Sequence, residues 1–451
     1  METLIANKKW LGENSLRLDA SFYMSDGIKT ILVFNKSNKE IKPLSEVTES
    51  IFYGGRDRRN YVTNPETGIP FIKGADITLA DFSKLKTISR RRTKNLSSYF
   101  LKEEWILVTR SGTIGNTAYV NKDFIGKAAS DDIIRIVPKD IKSGFLYAYL
   151  TSKYGNALIT HGKYGAVIQH IEPEHIAHIP VPIFPKEKQE QIHNLITEAA
   201  TLRVEANRLL EEAVEVFERE IGVSANTTKI FSKKVGMLGF SWAAYNNNIE
   251  CTNIYEKLEN NSSKLGDLSE NIFAPPLFKH IYLNKNNGYP FITGSELTKQ
   301  NMRYYRWLSP RGVRDINDYV VRKGTLLLYK SGTTDGGILG NVFIADDNLD
   351  GVCLSDHIIR IKIEDIKMSY WVYAFLKSKV GVKLLQQLAT GTMIPFITPE
   401  RLKELPIPTP NSNYKFVTEA IENSLQKRVK ANNNENQAIS LVENEIALWQ
   451  S

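Results

Sequence analysis

The strongest constraint on this chain of 451 residues is that it is written twice. Gly68-Ile69-Pro70-Phe71-Ile72-Lys73-Gly74 returns as Gly288-Tyr289-Pro290-Phe291-Ile292-Thr293-Gly294. Ser111-Gly112-Thr113 returns as Ser331-Gly332-Thr333, and Gly115-Asn116 returns as Gly340-Asn341 after five extra residues. Ser130-Asp131-Asp132-Ile133-Ile134-Arg135-Ile136 matches Ser355-Asp356-His357-Ile358-Ile359-Arg360-Ile361. Ser152-Lys153-Tyr154-Gly155 matches Ser378-Lys379-Val380-Gly381, and Pro180-Val181-Pro182 matches Pro406-Ile407-Pro408. So many ordered matches at a period near 220 to 226 residues describe two copies of one folded unit.

Each copy reads as a β-rich lobe with helical support. Ile106-Leu107-Val108 and Leu326-Leu327-Leu328 are short apolar runs stopped by the Ser-Gly-Thr turns, and Ile133 to Val137 is rich in β-branched residues. The spacing predicts helices over Phe145 to Thr160 and Tyr370 to Ala389. Gly68/Gly288, Pro70/Pro290 and Phe71/Phe291 read as turn and core residues, and each Pro-x-Pro as an extended exit from its lobe.

Beyond the first exit, Lys186 to Glu220 holds no Gly or Pro. Ile192, Leu195, Ala199, Leu202, Ala206, Leu209, Ala213 and Val216 follow steps of three and four, a heptad seam. At about 1.5 Å per residue such a helix is roughly 50 Å long. Asn413 to Gln450 repeats the character with Val417, Ile421, Leu425, Ile439, Val442 and Ile446, but a polar middle, Asn432 to Asn436, predicts a weaker seam. A single apolar stripe needs a partner, and the other copy is the economical one. The fold class is therefore α+β: a tandem duplicated unit of two β-rich domains and two long helices that pack on one another. The boundaries fall at residues 1–185, 186–222, 223–410 and 411–451.

Charge leans towards a polyanion, with 58 Lys+Arg against 50 Asp+Glu and a formal net charge of +8. Lys84, Lys86, Arg90, Arg91, Arg92 and Lys94 fall within eleven residues without an acid. Arg303, Arg306, Arg311 and Arg314 are interleaved with Tyr304, Tyr305 and Trp307. Such clusters suit a phosphate backbone with stacking or groove contacts, or else form a solvated basic surface. Tyr53-Gly54-Gly55-Arg56-Asp57-Arg58-Arg59 puts three arginines on a Gly-Gly approach, where guanidinium forks suit guanine edges. The turns Arg110-Ser111-Gly112-Thr113 and Lys330-Ser331-Gly332-Thr333 set a cation and hydroxyls at a strand end. Two readings stand there, a phosphate contact or a plain hairpin turn. The scaffold repeats while the segment after Ile51, Phe52 to Arg56, diverges from Phe273-Ala274-Pro275-Pro276-Leu277.

The ordered pattern resembles the specificity subunits of type I restriction-modification systems. It is carried by the paired Gly-x-Pro-Phe-Ile-x-Gly segments, the paired Ser-Gly-Thr…Gly-Asn turns, the Pro-x-Pro exits, and Lys186-Glu187-Lys188-Gln189-Glu190-Gln191-Ile192 opening the first long helix. It covers essentially the whole chain. The resemblance implies a non-catalytic reader of a bipartite, asymmetric site in double-stranded DNA, acting in phage defence. Each lobe would be a target recognition domain. The two lobes would be joined by the helices as an antiparallel coiled coil, which, with Gln189, Gln191, Ile192, Leu195, Leu202, Leu209, Val216, Val417, Ile421, Leu425, Val442 and Ile446, would pair and dock two DNA adenine methyltransferase subunits, with restriction/translocase subunits joining the complex. No cofactor is expected on this chain; S-adenosylmethionine, ATP and Mg would sit on the partners.

Other classes are weaker. The Asp/Asn/Ser-Pro-Pro-aromatic motif of amino-methyltransferases and the Walker A motif are absent. His170, His175 and His178 are replaced by Phe396, Arg401 and Glu404 in the second copy, which argues against a metal site. Asp131 and Asp356 read as structural acceptors. Cys251 and Cys353 cannot make a disulfide framework, no 18-residue apolar run exists and no signal peptide is evident, so a cytoplasmic setting without membrane contact is expected. The competing reading is a duplicated scaffold whose helices recruit partners without touching DNA.

Overall fold

The apolar runs that end at the Ser-Gly-Thr turns become inner strands, covered on both faces. In the computed structural model, which describes residues 23–64, 66–161, 170–222, 244–247, 249–302, 306–332, 338–391 and 393–450, Ile106–Thr109 and Leu326–Tyr329 are buried throughout. Continuous apolar sequence, rather than alternation, is what two covered faces require. The chain divides into two units, the first residues 1–204 and 430–451, the second residues 205–429.

In the first unit, Ile106–Thr109 lies between Ile133–Pro138 and Thr117–Tyr119, with Thr48–Tyr53 on the far side of Ile133–Pro138, all antiparallel. A second, mixed sheet has the order Tyr61–Val62, Thr87–Ser89, Gly68–Ile72, Ala128–Ala129, its last pair parallel. The exit Pro180–Pro182 pairs antiparallel with Ile41–Pro43 in a two-stranded ribbon, where Pro needs no ladder partner on its outer edge. The second unit repeats this strand for strand. Its sheets run Asn271–Phe273, Ile358–Lys362, Leu326–Tyr329, Val342–Ile344 and Tyr282–Leu283, Arg306–Leu308, Tyr289–Ile292, Cys353–Leu354, and its ribbon joins Ser262–Lys264 to Pro406–Pro408. Phe71 and Phe291 are buried in the mixed sheets.

The supporting helices differ from the sequence expectation in one repeated way: each is broken. Ser143–Thr151 and Lys153–His161 replace a single helix over Phe145 to Thr160, and Ile366–Lys377 and Lys379–Gln387 replace Tyr370 to Ala389. Ser152 and Ser378 are extended at the break, and their hydroxyls accept from the amides of Gly155 (3.3 Å) and Gly381 (3.1 Å), capping the next helix. A Cβ on either glycine would collide with a backbone carbonyl of the preceding helix, from Tyr149 or Phe375. The repeated spacing Ser-Lys-x-Gly is thus a corner.

The long helices span Lys186–Ile221 and Tyr414–Ala447, the second followed by a 3-10 turn, Leu448–Gln450. Within the first unit Lys188 pairs with Glu445, Glu198 with Lys430 (2.5 Å) and Arg203 with Glu435. Within the second, Glu205 pairs with Lys427 (2.5 Å), the Ala206 carbonyl accepts from the Ser424 hydroxyl (2.7 Å), and Glu220 accepts from Asn413 (2.6 Å). Numbers rise on one helix as they fall on the other, so the pairing is antiparallel. The buried stripe adds Ile196, Leu210 and Phe217, while Leu195, Leu209 and Leu425 lie half-buried at its margin. The polar middle is not a gap. Asn432, Asn434 and Glu435 are buried, and Arg203 bonds Asn432 (3.1 Å) and Glu435, which also accepts from the Tyr147 hydroxyl (3.1 Å). A buried acid is tolerable when paired and hydrogen-bonded in this way.

The division into units does not follow the sequence boundaries at 185, 222 and 410. It crosses the long helices between Val204 and Glu205 and between Val429 and Lys430, because each half-helix is buried against its own lobe. Ile192, Val442 and Ile446 join Phe145 and Ile176 in one core; Val216, Val417 and Ile421 join Trp371 and Leu402 in the other.

Candidate nucleic-acid interface

In the first unit the Gly-Gly-Arg segment closes over the end of strand Ile133–Pro138 and the Ser130-Asp131-Asp132 motif before it. Arg56 Nε donates to Asp131 Oδ2 at 2.9 Å. Arg59 Nη2 reaches Asp131 Oδ1 (3.0 Å), Asp132 Oδ2 (2.9 Å) and Ser130 Oγ (3.1 Å), and its guanidinium lies 5.5 Å from the Phe71 ring centre. Burial pushes the Asp131 carboxyl up, but the bonds from Arg56 and Arg59 outweigh it and hold the group below its ordinary value. Asp131 is therefore an acceptor, but it stands in the turn before strand Ile133–Pro138 and its donors are the candidate DNA-reading arginines. Asp57 fastens the loop further, accepting from the amides of Arg58 (2.7 Å) and Lys94 (2.9 Å). Those two bonds are also what holds the Asp57 carboxyl below its ordinary value, Lys94 first.

Lys94 ends the basic run, so the structure brings two sequence-separated clusters to one place. Lys84, Lys86, Arg90, Arg91, Arg92 and Lys94 are all exposed and border strand Thr87–Ser89. Arg90 Nε donates to the Gly68 carbonyl (2.9 Å), and Lys86 lies 5.9 Å from the Tyr61 ring centre. Arg58 is exposed.

Beneath the motif lies a feature that sequence reasoning did not single out. Arg135 is fully buried and spans the two sheets, donating to the carbonyls of Ala129 (2.8 Å) and Ile133 (3.2 Å). Arg360 does the same with Leu354 (2.8 Å) and Ile358, and also donates to the Ser355 carbonyl (2.9 Å). Burial pulls both guanidiniums down to about 10, against the opposing charge of Asp131 or Asp356, so both stay cationic at neutral pH. The signal was an arginine at matched positions inside two β-branched strands.

Of the two readings of the paired turns, the first turn departs from the phosphate contact. Arg110 is buried, held by both carboxylate oxygens of Glu172 and stacked 4.4 Å from the Tyr53 ring centre. Glu172 compensates this cation and the stacked ring covers it, so the turn does not offer it to a phosphate; a charge below the surface needs such a partner. Ser111 Oγ donates to Asp132 Oδ1 (2.9 Å), tying the turn to the same motif, and Thr113 is exposed. In the second unit Lys330 and Ser331 are half-buried, and Thr333 lies outside the described residues.

The second unit carries an aromatic surface where the first carries arginines. Arg306 lies 5.7 Å from the ring centres of both Tyr282 and Phe291, which are themselves 6.2 Å apart, and pairs with Glu296 at 3.6 Å. His280, exposed, lies 4.5 Å from Phe278 and 5.9 Å from Tyr282 between centroids. His280 and Tyr282 were not among the sequence candidates. Arg311 and Arg314 are exposed, while Arg303 and Tyr304 lie outside the described residues.

Of the helix residues, Ile192, Leu202, Val216, Val417, Ile421, Val442 and Ile446 are buried inside the chain's own units. Gln189 is buried and donates to the Phe184 carbonyl (2.8 Å), whereas Gln191 is exposed. Among the described residues no group of three or more His, Cys, Asp and Glu is placed to hold a metal, and no helix is long and apolar enough to cross a membrane.

The family model described as the type I restriction modification DNA specificity domain matches residues 36–214 and again residues 257–442. Among solved structures, the chain is similar to the S subunit of a type I restriction-modification system from M. genitalium, at 15% identity over 92% of this chain and 96% of that one, with a TM-score of 0.31. It is similar also to the HsdS subunit from Thermoanaerobacter tengcongensis, at 15% identity over 91% of this chain and 96% of that one, with a TM-score of 0.28. No curated protein matches the chain.

Proposed function

The chain belongs to the type I restriction-modification DNA specificity family, whose domain it carries twice, and from that premise we propose that each unit reads a different half of a bipartite duplex DNA site. The observation that supports this most is the contrast on a common frame. The same strands carry an arginine loop in one unit and an apolar loop beside an aromatic-cation cluster in the other. Direct readout depends on which donors and rings meet the base edges, so unlike surfaces imply unlike half-sites.

The chain is proposed to be non-catalytic, presenting a target adenine to two methyltransferase subunits that bind S-adenosylmethionine, with restriction subunits bringing ATP and Mg. Exposed Gln191 and its neighbours at the start of the first long helix are the proposed docking point. The buried seam is spent on intramolecular packing and serves docking only through the helices' shape. A cytoplasmic location fits the two free, buried cysteines.

The test is binding of the full chain to mixed-sequence duplexes across a salt series. Log affinity should fall steeply with log salt, and Arg91→Ala with Arg92→Ala should reduce the slope by about two units, roughly one for each phosphate that is no longer neutralised. A flat salt dependence would instead support a scaffold that does not touch DNA.

A further inference from the structure

We propose that Asp131 positions Arg56 to read a guanine in the half-site of the first unit, an inference that rests on the DNA-reading function above. The three arginines of the loop are not equivalent. Arg59 is a strut: one of its terminal nitrogens is committed to Asp131, Asp132 and Ser130, and its plane lies near the Phe71 ring. Arg58 is exposed, and the bonds seen at it among the described residues are to its backbone, its amide to Asp57 and its carbonyl to Asn60. Arg56 is held at one point, its Nε, by a carboxylate whose side chain is 10% exposed, while its own side chain is 71% exposed.

That single point of attachment decides what Arg56 can do. A bond at Nε restricts the guanidinium plane and leaves the end-on pair, Nη1 and Nη2, without a protein acceptor among the described residues. Two parallel donors on a fixed plane match the O6 and N7 acceptors that only guanine presents in the major groove. An unheld arginine would lose rotamer freedom on binding; this one has lost part of it beforehand.

The carboxylate itself points the same way. An acid on a surface that approaches phosphates adds repulsion, so its presence there calls for a compensating role. Asp131 is anchored on Arg59, which fixes the position of the oxygen facing Arg56. Asp57 pins the intervening loop to Lys94, and Gly54 lies so close to the buried Arg135 that a Cβ there would stand 3.1 Å from its Nη2. The loop therefore has a defined seat. At the counterpart motif no arginine is seen on Asp356 from the matching loop among the described residues: Asp356 meets the His357 imidazole at 3.8 Å, and that loop reads Ala274-Pro275-Pro276-Leu277.

The experiment is enrichment of the full chain on a randomised duplex library, followed by sequencing, for the parent, Arg56→Ala, Asp131→Asn, their double variant and Arg58→Ala. Arg56→Ala should lower the guanine preference at one position of one half-site by roughly ten- to a hundred-fold. Near-isosteric Asp131→Asn should lower the same position by a smaller factor, and the double variant should match Arg56→Ala alone. Arg58→Ala should weaken all sequences alike. The second half-site, read in the same experiment, should keep its preference in every variant and so reports that the chain is folded. If Asp131→Asn leaves the position untouched, alters a different position, or abolishes both half-sites, the positioning role is overturned while DNA reading stands. If the parent enriches no sequence, the DNA-reading function fails and this inference with it.

Discussion

The loop after Ile51 and the loop after Ile272 occupy the same place on the same frame, yet one is fastened by charge and the other by a neutral bond. Arg56 and Arg59 grip Asp131 and Asp132 in the first unit. In the second, the buried Tyr319 donates its hydroxyl to the Pro276 carbonyl at 2.8 Å, and two prolines supply the stiffness. Leu277, 83% exposed, stands in the segment matched to the arginines. Below both loops the structure is invariant: a buried arginine between two sheets, a Ser-Asp motif and a capped helix corner. The difference teaches where variation is tolerated. The arginine buried between the sheets and the serine-glycine helix corners repeat, whereas the loops lying over them differ, even where, as with Arg56 and Arg59, their partners belong to the repeated motif.

The invariant part can be broken first, with the largest effect. Gly155→Ala and Gly381→Ala each force a Cβ into the backbone of the preceding helix, where Leu150 Cα or Leu376 Cα would stand at 2.7 or 2.6 Å. Each should cost about 3 kcal/mol, as overpacking against a fixed backbone does. Residue-resolved hydrogen exchange should show the loss confined to the unit that carries the change, by similar amounts. A large loss in one unit and none in the other would mean that the corners are not equivalent.

A smaller change sharpens the divergent part. Tyr319→Phe removes one hydrogen bond and leaves the Pro276 carbonyl without that donor, a cost of about 1 kcal/mol. Hydrogen exchange around Ala274 to Leu277 should quicken while the Arg56 loop is unchanged. Equal loosening of both loops would refute separate anchoring.

Much of this was legible in the chain. The repeat gave the two units, the apolar runs gave the inner strands, and the Gly/Pro-free stretches gave both long helices close to their observed ends. What escaped depends on distance or on a signal weaker than periodicity. Arg110 read as a surface cation because its partner Glu172 lies 62 residues further on, and nothing local announces it. Asp131 and its arginines are 72 to 75 residues apart for the same reason. The strand Ala128–Ala129 is too short to show alternation. The broken helices keep their apolar spacing across Ser152 and Ser378, so periodicity runs straight through the corner that serine and glycine make. The polar middle of the second helix reads as weakness until Arg203 and Tyr147 are seen to meet it.

The central claim, that the two units read two unlike half-sites, is tested most directly by sequencing the duplexes that the unaltered full chain enriches from a fully random pool. The account predicts two short specified blocks of different sequence, separated by a constant number of unspecified base pairs. A single continuous block, or two copies of the same block, would contradict it.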